Sequence, residues 1–180
     1  MDKIRFLLVC SVLFICHSTQ AQKFTVEKST VIFFSKATVE DIKADNTKLA
    51  SIFNTSSGEV AFSIPIKDFE FEKALMKEHF NEKYLETEKF AKATFQGKLL
   101  GYSANATGVQ PVSAIGKLTI HGITKEVTIE GTLENVDGKI NAKSKFNVKL
   151  EDYKIKIPQL LWQNIAEQVE VTIDITYKPL

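Results

Sequence analysis

The chain has 180 residues, with 23 basic and 22 acidic side chains and a mean hydropathy close to zero. This length and balance suit one soluble domain with a sizeable core. Arg5, in the N-terminal segment, is the only arginine. The rest of the sequence therefore lacks the guanidinium groups that bind phosphate and guanine in a bidentate manner, which argues against nucleic-acid binding.

The N-terminal segment has the order of a secretory signal peptide. Two basic residues precede an apolar run at 6–16, and small residues, Thr19 and Ala21, end the segment. The run is shorter than the roughly 20 residues of a membrane-spanning helix, so a retained anchor is the less favoured alternative. We expect residues 1–21 to be removed by cleavage after Ala21, which places the mature protein in the periplasm or outside the cell. Both cysteines leave with this segment, so the mature domain at 22–180 should contain no disulfide.

Alternation of apolar and polar residues dominates the rest of the chain and is typical of strands with one buried face. It predicts eight strands, near residues 24–35, 48–54, 59–66, 93–100, 114–122, 126–133, 139–150 and 169–177. Short turn-like links, of which Asp137-Gly138 is the strongest hairpin signal, favour antiparallel neighbours. Such strands form a barrel or a sandwich, and we favour an all-β, antiparallel eight-stranded barrel because closure protects every edge.

Two segments break the strand pattern and are predicted to be helical. Residues 70–83 fit a short helix with Asp68 as its N-cap. The apolar side of this helix would be formed by Phe71, Leu75, His79 and Phe80. A second short helical segment near 158–166 carries Trp162. We expect each segment to cover an end of the strand assembly.

The stretch KEHFNEKYLE at 77–86 is the strongest candidate for chemistry, because it gathers the side chains of Glu78, His79, Glu82 and Glu86. A metal site needs three or four converging ligands, whereas alternation places the other mature histidine, His121, outside the barrel. Motifs for a nucleophile or a phosphate loop are absent from the sequence. We therefore interpret the stretch as a solvated helix face and expect no metal, cofactor or catalytic residue. The alternative is a small hydrolase or isomerase that uses His79 with Glu78 or Glu82.

The residues predicted to point inward are compatible with both a hollow barrel and a filled one. Many of the 13 phenylalanines fall on the inward faces or on the first helix, where they would fill the interior or line a cavity. Small inward residues that could leave a tunnel are Ala114, Gly116, Gly131, Ala142 and Ser144. A filled barrel would serve as a structural or protein-partner module. Apolar residues off the inward faces that could form a homodimer seam are Ile32, Phe34, Ile115 and Ile123.

Three stretches together resemble the YceI-like family. Residues 73–99 are similar to its short helix with a His-Phe pair before a strand that opens Thr-Phe. Residues 116–129 match its Leu-Thr-Ile-His-Gly motif, and residues 146–158 resemble its late strand and Asp-Tyr turn. The resemblance implies a lipocalin-like barrel in an exported protein. It also implies that the lumen holds an isoprenoid or other long apolar or amphiphilic molecule for transport or storage, without a chemical step.

The inward faces and the two covering segments supply the expected ligand contacts. These residues are Phe33, Phe62, Ile64, Phe69, Phe71, Leu75, His79, Phe80, Phe95, Leu118, Ile120, Phe146 and Trp162. Since the mature chain has no arginine, a diphosphate head group would meet only lysines, and strong selection of such a head group is not expected.

Overall fold

The computed structural model describes residues 23–36, 41–157 and 166–180. Its strands are β1 (Lys23–Ser35), β2 (Ile42–Asn46), β3 (Ala50–Asn54), β4 (Glu59–Pro65), β5 (Glu70–Phe71), β6 (Lys92–Leu100), β7 (Val109–Ile120), β8 (Ile123–Val136), β9 (Lys139–Lys149) and β10 (Gln168–Pro179). Helix α1 spans Ala74–His79 and continues as a π-helical turn at Phe80–Tyr84. Two 3₁₀ turns lie at Ile66–Asp68 and Leu150–Tyr153.

Eight of these strands close an antiparallel barrel, which confirms the predicted fold class. The order around the ring is β1-β3-β4-β6-β7-β8-β9-β10, and β10 pairs back onto β1. Each of these eight strands is paired with a neighbour on both sides for part of its length, and β8 meets β9 only over Gly131–Val136.

The barrel wall divides at one end because β1 changes its partner along its length. Residues Lys23, Phe24 and Thr25 pair with β3, whereas 31–35 pair with β2, which in turn pairs with the short β5. β4 remains paired with β6 along its whole length. The segment at 66–86 leaves the end of β4 and returns to the sheet at β2, so it covers the side of the barrel where β2 and β4 separate.

Tight turns define the two ends of the barrel. Asp137 and Gly138 both have positive φ and join β8 to β9, as the hairpin signal predicted. His121 and Gly122 form the corresponding two-residue turn between β7 and β8 at the opposite end. We name the end at 137–138 the closed end and the end at 121–122 the mouth.

The closed end is filled by aromatic side chains. Phe53 has no exposed surface, and its ring lies 5.3 Å from that of Tyr102 and 6.1 Å from that of Tyr177. The Tyr177 hydroxyl is hydrogen-bonded to Ser51 Oγ at 2.7 Å, and burial raises the pKa of Tyr177 to about 12. This buried polar pair is therefore satisfied internally, and the half of the barrel around Phe53 is a packed core.

A loop at 101–108 covers the closed end from outside. Asn135 on β8 holds it, because its side-chain amide donates to the carbonyls of Ser103, Ala104 and Ala106 at 3.2–3.3 Å. The side-chain oxygen of Asn135, Oδ1, accepts a hydrogen bond from the Tyr102 hydroxyl at 3.0 Å. These contacts fix the ring of Tyr102 over the core.

The helix at 70–83 was predicted in the right region, and of the residues on its predicted apolar side only Leu75 is misplaced. Phe71 belongs to β5, and the N-cap of α1 is Lys73 instead of Asp68. Leu75 is 61% exposed, so its predicted contact with the barrel is wrong. The side of the segment that faces the barrel is formed by Met76, His79, Phe80 and Tyr84. The predicted helical segment near 158–166, including Trp162, lies almost entirely outside the described residues. In the part of the chain that is described, no helix has the length and apolar character needed to cross a membrane.

The predicted homodimer seam does not form one surface. β1, which carries Ile32 and Phe34, lies four strands from β7, which carries Ile115, along either path around the ring. In an eight-stranded barrel these are opposite sides, and Ile123 begins β8 at the mouth. The grouping of these residues is wrong, whereas homodimer formation itself stays a prediction.

Candidate functional site: an apolar cavity at the mouth of the barrel

The half of the barrel nearest the mouth is hollow. It encloses a cavity of about 290 Å³, close to the lower end of the range of about 300–1,000 Å³ that is usual for ligand sites. Strand register explains why its walls are continuous. Phe33, Val171 and Phe146 pair across β1, β10 and β9, so their side chains point inward at the same height.

The cavity lining is almost wholly hydrocarbon. Of its 24 residues, the polar members are Ser35, His79 and Tyr84. No lysine, aspartate or glutamate lines the cavity among the described residues. A charged ligand would leave its hydration shell here without gaining an opposite charge, so the cavity suits an apolar molecule.

Stacked rings form the floor of the cavity. Phe62 on β4 lies 5.1 Å from Phe95 on β6 in a nearly parallel arrangement. Phe95 is almost completely buried, and its pairing partner on β7 is Leu118, which lines the cavity. Below this layer the packed core of the closed end begins.

A second aromatic cluster joins the segment at 66–86, which we call the covering segment, to the barrel wall. Phe80, which follows α1, stacks on Phe33 of β1 with ring centroids 5.5 Å apart. Phe69 and Phe71 pack edge-on against Phe33 at 6.2 and 5.9 Å. Such ring pairs contribute about 0.5–1.5 kcal/mol each beyond the area they bury, so the cluster anchors the segment at 66–86 to the barrel.

His121 connects three chain segments at the mouth, where it does not line the cavity but is buried between those segments. Its side chain is only 11% exposed because it belongs to the turn after β7, where strand alternation no longer applies. The imidazole Nδ1 lies 3.1 Å from the Tyr153 carbonyl oxygen, and Nε2 lies 3.1 Å from the Glu86 carboxylate. The ring also packs at 4.5 Å against Phe90. Since Leu85 and Leu150 line the cavity beside these contacts, His121 holds two parts of its rim in place.

Gly122 is needed for this arrangement. Its φ of +72° is one that side chains rarely adopt, and a Cβ at this position would lie 2.6 Å from the Phe90 ring. The His-Gly pair of the sequence motif therefore has a structural role, in which histidine binds across the mouth and glycine makes room for the ring beneath it.

A family model for the YceI-like domain matches residues 17–177, which is most of the sequence. The chain belongs to the YceI-like domain family. The resemblance that the motifs at 73–99, 116–129 and 146–158 indicated is thereby confirmed. No curated protein matches the sequence.

Solved structures with the same fold are distant in sequence from this YceI-like domain. A polyisoprenoid-binding domain from Saccharophagus degradans, implicated in plant cell wall breakdown, has a TM-score of 0.75 at 15% identity and covers 87% of this chain and 98% of its own. BcnA from Burkholderia cenocepacia has a TM-score of 0.70 at 17% identity, with coverages of 82% and 95%. The YCEI protein of Campylobacter jejuni has a TM-score of 0.62 at 15% identity, with coverages of 78% and 86%. At these identities the comparison shows the fold alone.

Ten of the thirteen predicted ligand-contact residues are brought together in the cavity lining. They are Phe33, Phe62, Ile64, Phe69, Phe71, His79, Phe80, Leu118, Ile120 and Phe146. Phe95 is buried behind Phe62 in the floor and does not line the cavity, Leu75 points to solvent, and Trp162 lies outside the described residues. The structure thus places these side chains in the YceI-like lumen, while their contact with a ligand stays a prediction.

Sequence reasoning missed two groups of lining residues. Strand residues that share the inward parity of predicted ones, such as Val31 beside Phe33 and Val148 beside Phe146, could have been found from alternation. Residues on short or irregular segments carry no periodic signal. These are Ile42, Met76, Tyr84, Leu85 and Ile155, whereas Ile66 and Leu150 end predicted strands on the inward parity and belong to the first group.

The small inward residues do not form a tunnel, which corrects the expectation attached to them. None of Ala114, Gly116, Gly131, Ala142 and Ser144 lines the cavity. Gly116 pairs with Gly97, and a Cβ on Gly116 would lie 2.3 Å from the Gln96 carbonyl oxygen. A Cβ on Gly97 would lie 2.7 Å from the end of the Phe95 ring. These glycines permit close packing around Phe95 and so help to fill the barrel.

The acidic residues near His79 do not form an acid–base site with it. Glu78 and Glu82 are exposed and do not line the cavity, and among the described residues neither is hydrogen-bonded to the imidazole. Glu86 is bound instead to His121 and to Lys89. Within the described ranges, no group of three or more His, Cys, Asp or Glu side chains could hold a metal ion.

Glu86 should give the YceI-like barrel a stability that depends on acidity. The ion pair with Lys89 at 2.6 Å, and then the contact with His121, lower the pKa of the Glu86 carboxyl. A carboxyl whose pKa is lowered in the folded state stabilises it above the unfolded-state pKa of about 4.3, and this stabilisation is lost as the pH falls through the folded-state pKa. Glu86→Gln should therefore lower the Tm at about pH 6 and have little effect near about pH 3.

Thermal unfolding followed by circular dichroism at these two pH values tests this expectation. Glu88→Gln is the matched control, because Glu88 is an exposed neighbour without an ion pair to a described residue. The control should leave the Tm nearly unchanged at both pH values. A loss of Tm in Glu86→Gln that is equal at both would contradict the assigned role of Glu86.

Proposed function

We propose that this YceI-like domain binds an isoprenoid or another long apolar molecule in the cavity at the mouth, and carries or stores it without a chemical step. The observation that carries the proposal is the apolar lining, in which three of the 24 described residues are polar. The fold likeness to the polyisoprenoid-binding domain from Saccharophagus degradans supports it.

The energetics of binding follow from the apolar lining. Each methylene group that leaves water contributes about 0.8 kcal/mol. A chain of several isoprene units therefore offsets the association and ordering costs of several kcal/mol. Affinity should increase with chain length until the cavity is filled.

The same proposal includes export of the protein through a signal peptide at 1–21. β1 begins at Lys23, so cleavage after Ala21 would leave every strand of the barrel intact. N-terminal sequencing of the protein recovered from a periplasmic or extracellular fraction should begin at Gln22. Recovery of the uncleaved chain in a membrane fraction would contradict this part of the proposal.

Native mass spectrometry of the protein purified without detergent tests ligand binding. We expect a reproducible added mass that disappears after organic extraction, and its exact value identifies the class of ligand. The extracted protein should regain an added mass when it is incubated with a polyprenol. A ligand-free mass before and after that incubation would contradict the proposal and favour the filled-barrel alternative.

A further inference from the structure

His79 and Tyr84 are polar residues of the cavity lining whose side chains have no assigned partner. The third polar residue, Ser35, accepts a hydrogen bond from the Ala166 backbone N–H at 3.0 Å. In contrast, neither the His79 imidazole nor the Tyr84 hydroxyl makes a hydrogen bond to any described residue. Both residues are half-buried in the cavity lining, so without a partner among the described residues their polar atoms are available to a ligand at the mouth.

The backbone fixes both residues on the cavity side of the covering segment. The π-helical turn at Phe80–Tyr84 begins directly after His79 and ends with Tyr84. In this turn the Leu85 N–H donates to the Phe80 carbonyl at 2.9 Å. The wider turn brings residues five positions apart onto one side, and such turns are frequent at functional sites. The Asn81 carbonyl accepts from the Thr87 N–H at 2.8 Å, which secures the end of the turn.

The position of this pair defines an orientation for an amphiphilic ligand. His79 and Tyr84 belong to the covering segment, which follows the mouth end of β4. The floor is formed by the stacked rings of Phe62 and Phe95. The floor offers only hydrocarbon. A ligand with one polar end would therefore place that end beside the covering segment and its chain toward the floor.

The cavity lining favours an uncharged polar end, because Lys83 beside Tyr84 is exposed and does not line the cavity. Lys77, on the same helix, binds both carboxylate oxygens of Glu70 at 2.8 Å and does not line the cavity. With no lysine in the described lining, a diphosphate would lose its hydration without a counter-charge. A hydroxyl or a carbonyl oxygen needs only the hydrogen bonds that an imidazole and a phenol supply.

From these observations we propose that His79 and Tyr84 form a polar subsite that hydrogen-bonds the uncharged oxygen-bearing head group of a long-chain ligand. The subsite selects a long-chain alcohol or ketone over both the parent hydrocarbon and the diphosphate ester. This inference rests on the proposed function, because it assigns the head-group class of the molecule that the same cavity binds.

Calorimetric titration of the extracted protein with three ligands tests the subsite. The probes are geranylgeraniol, the matching hydrocarbon without the hydroxyl group, and geranylgeranyl diphosphate. Two hydrogen bonds of ordinary net strength should make the alcohol bind about tenfold more tightly than the hydrocarbon. The diphosphate should bind more weakly than the alcohol.

Two variants of the protein locate the source of this preference. Tyr84→Phe removes a single oxygen atom, and in Tyr84→Phe/His79→Leu the preference for the alcohol should disappear while the hydrocarbon affinity is retained. Tyr153→Phe is the matched control, since Tyr153 is buried but does not line the cavity, and it should keep the wild-type preference. The wild-type comparison of alcohol and hydrocarbon stands even if the double variant fails to fold.

The outcomes separate the subsite from the proposed function. Equal affinity of the wild type for alcohol and hydrocarbon, or an unchanged preference in the folded double variant, would overturn the subsite and leave lipid binding in place. Tighter binding of the diphosphate would overturn the uncharged head group. Failure of all three probes to bind would count against the proposed function itself.

Discussion

Val171→Trp is expected to block the cavity and to weaken the binding of a polyprenol about a hundredfold. Val171 points inward at the height of Phe33 and Phe146, so an indole at this position would occupy the space above the floor. Excluding about four methylene groups, at about 0.8 kcal/mol each, weakens binding by about 3 kcal/mol. Calorimetric titration of the extracted variant with geranylgeraniol measures this loss.

The neighbouring residue on the same strand supplies the control. Thr172 faces the outside of the barrel because side chains alternate along β10, so Thr172→Trp adds the same bulk without entering the cavity. The control should bind geranylgeraniol like the wild type. Since the indole of Val171→Trp enters an existing cavity, both variants should unfold within a few degrees of the wild-type Tm. Wild-type affinity in folded Val171→Trp would show that the ligand binds elsewhere.

Phe53→Ala is expected to destabilise the protein by about 3–5 kcal/mol, the usual cost of removing a fully buried phenylalanine ring. Phe53 has no exposed surface and contacts the rings of Tyr102 and Tyr177 in the packed closed end. The hydrogen-bonded pair of Tyr177 and Ser51 beside it limits how far the core can collapse into the gap. Urea unfolding followed by circular dichroism measures the free energy of unfolding.

Ile52→Ala is the matched control for this substitution. Ile52 precedes Phe53 on β3 and is 51% exposed, so its truncation should change the free energy of unfolding by less than about 1 kcal/mol. The folded fraction of Phe53→Ala should still bind geranylgeraniol, because Phe53 does not line the cavity. A small loss of stability in Phe53→Ala would mean that the closed end is not the packed core described above.

The predicted fold came from local patterns and was confirmed because those patterns survive folding unchanged. Alternation along β9, with Ile140 and Val148 inward, is a property of neighbouring residues and needs no knowledge of distant ones. The Asp137-Gly138 hairpin is equally local, because both residues tolerate positive φ. β2 was missed because the small Ala44 and the polar Asn46 occupy its buried positions, and β5 was missed because it has only two residues.

The division of the barrel into a filled and a hollow half could not be predicted from local patterns. Phe62 and Phe95 have the same inward parity, yet one faces the cavity and the other fills the core over Gly97. The two residues are direct partners between β4 and β6, so register places them at one height, and they differ because the Phe95 ring packs over Gly97. Gly116 and Gly131 were misread because each permits the close approach of the neighbouring strand's backbone, which alternation does not show.

Partners far apart in the sequence decided the details of the mouth. His121 was predicted to be an outward strand residue, but its contacts are Glu86 and Tyr153, which lie 35 and 32 positions away. Leu75 faces solvent because Phe71 belongs to β5 and α1 begins only at Ala74. The sequence by itself determined the number of long strands, which of their residues point inward, and the hairpins that join them. These features follow from residues that are close together in the chain. Only the tertiary structure decided where the barrel is hollow and which polar groups face the cavity, because those features depend on register and on contacts between segments that alternation does not relate.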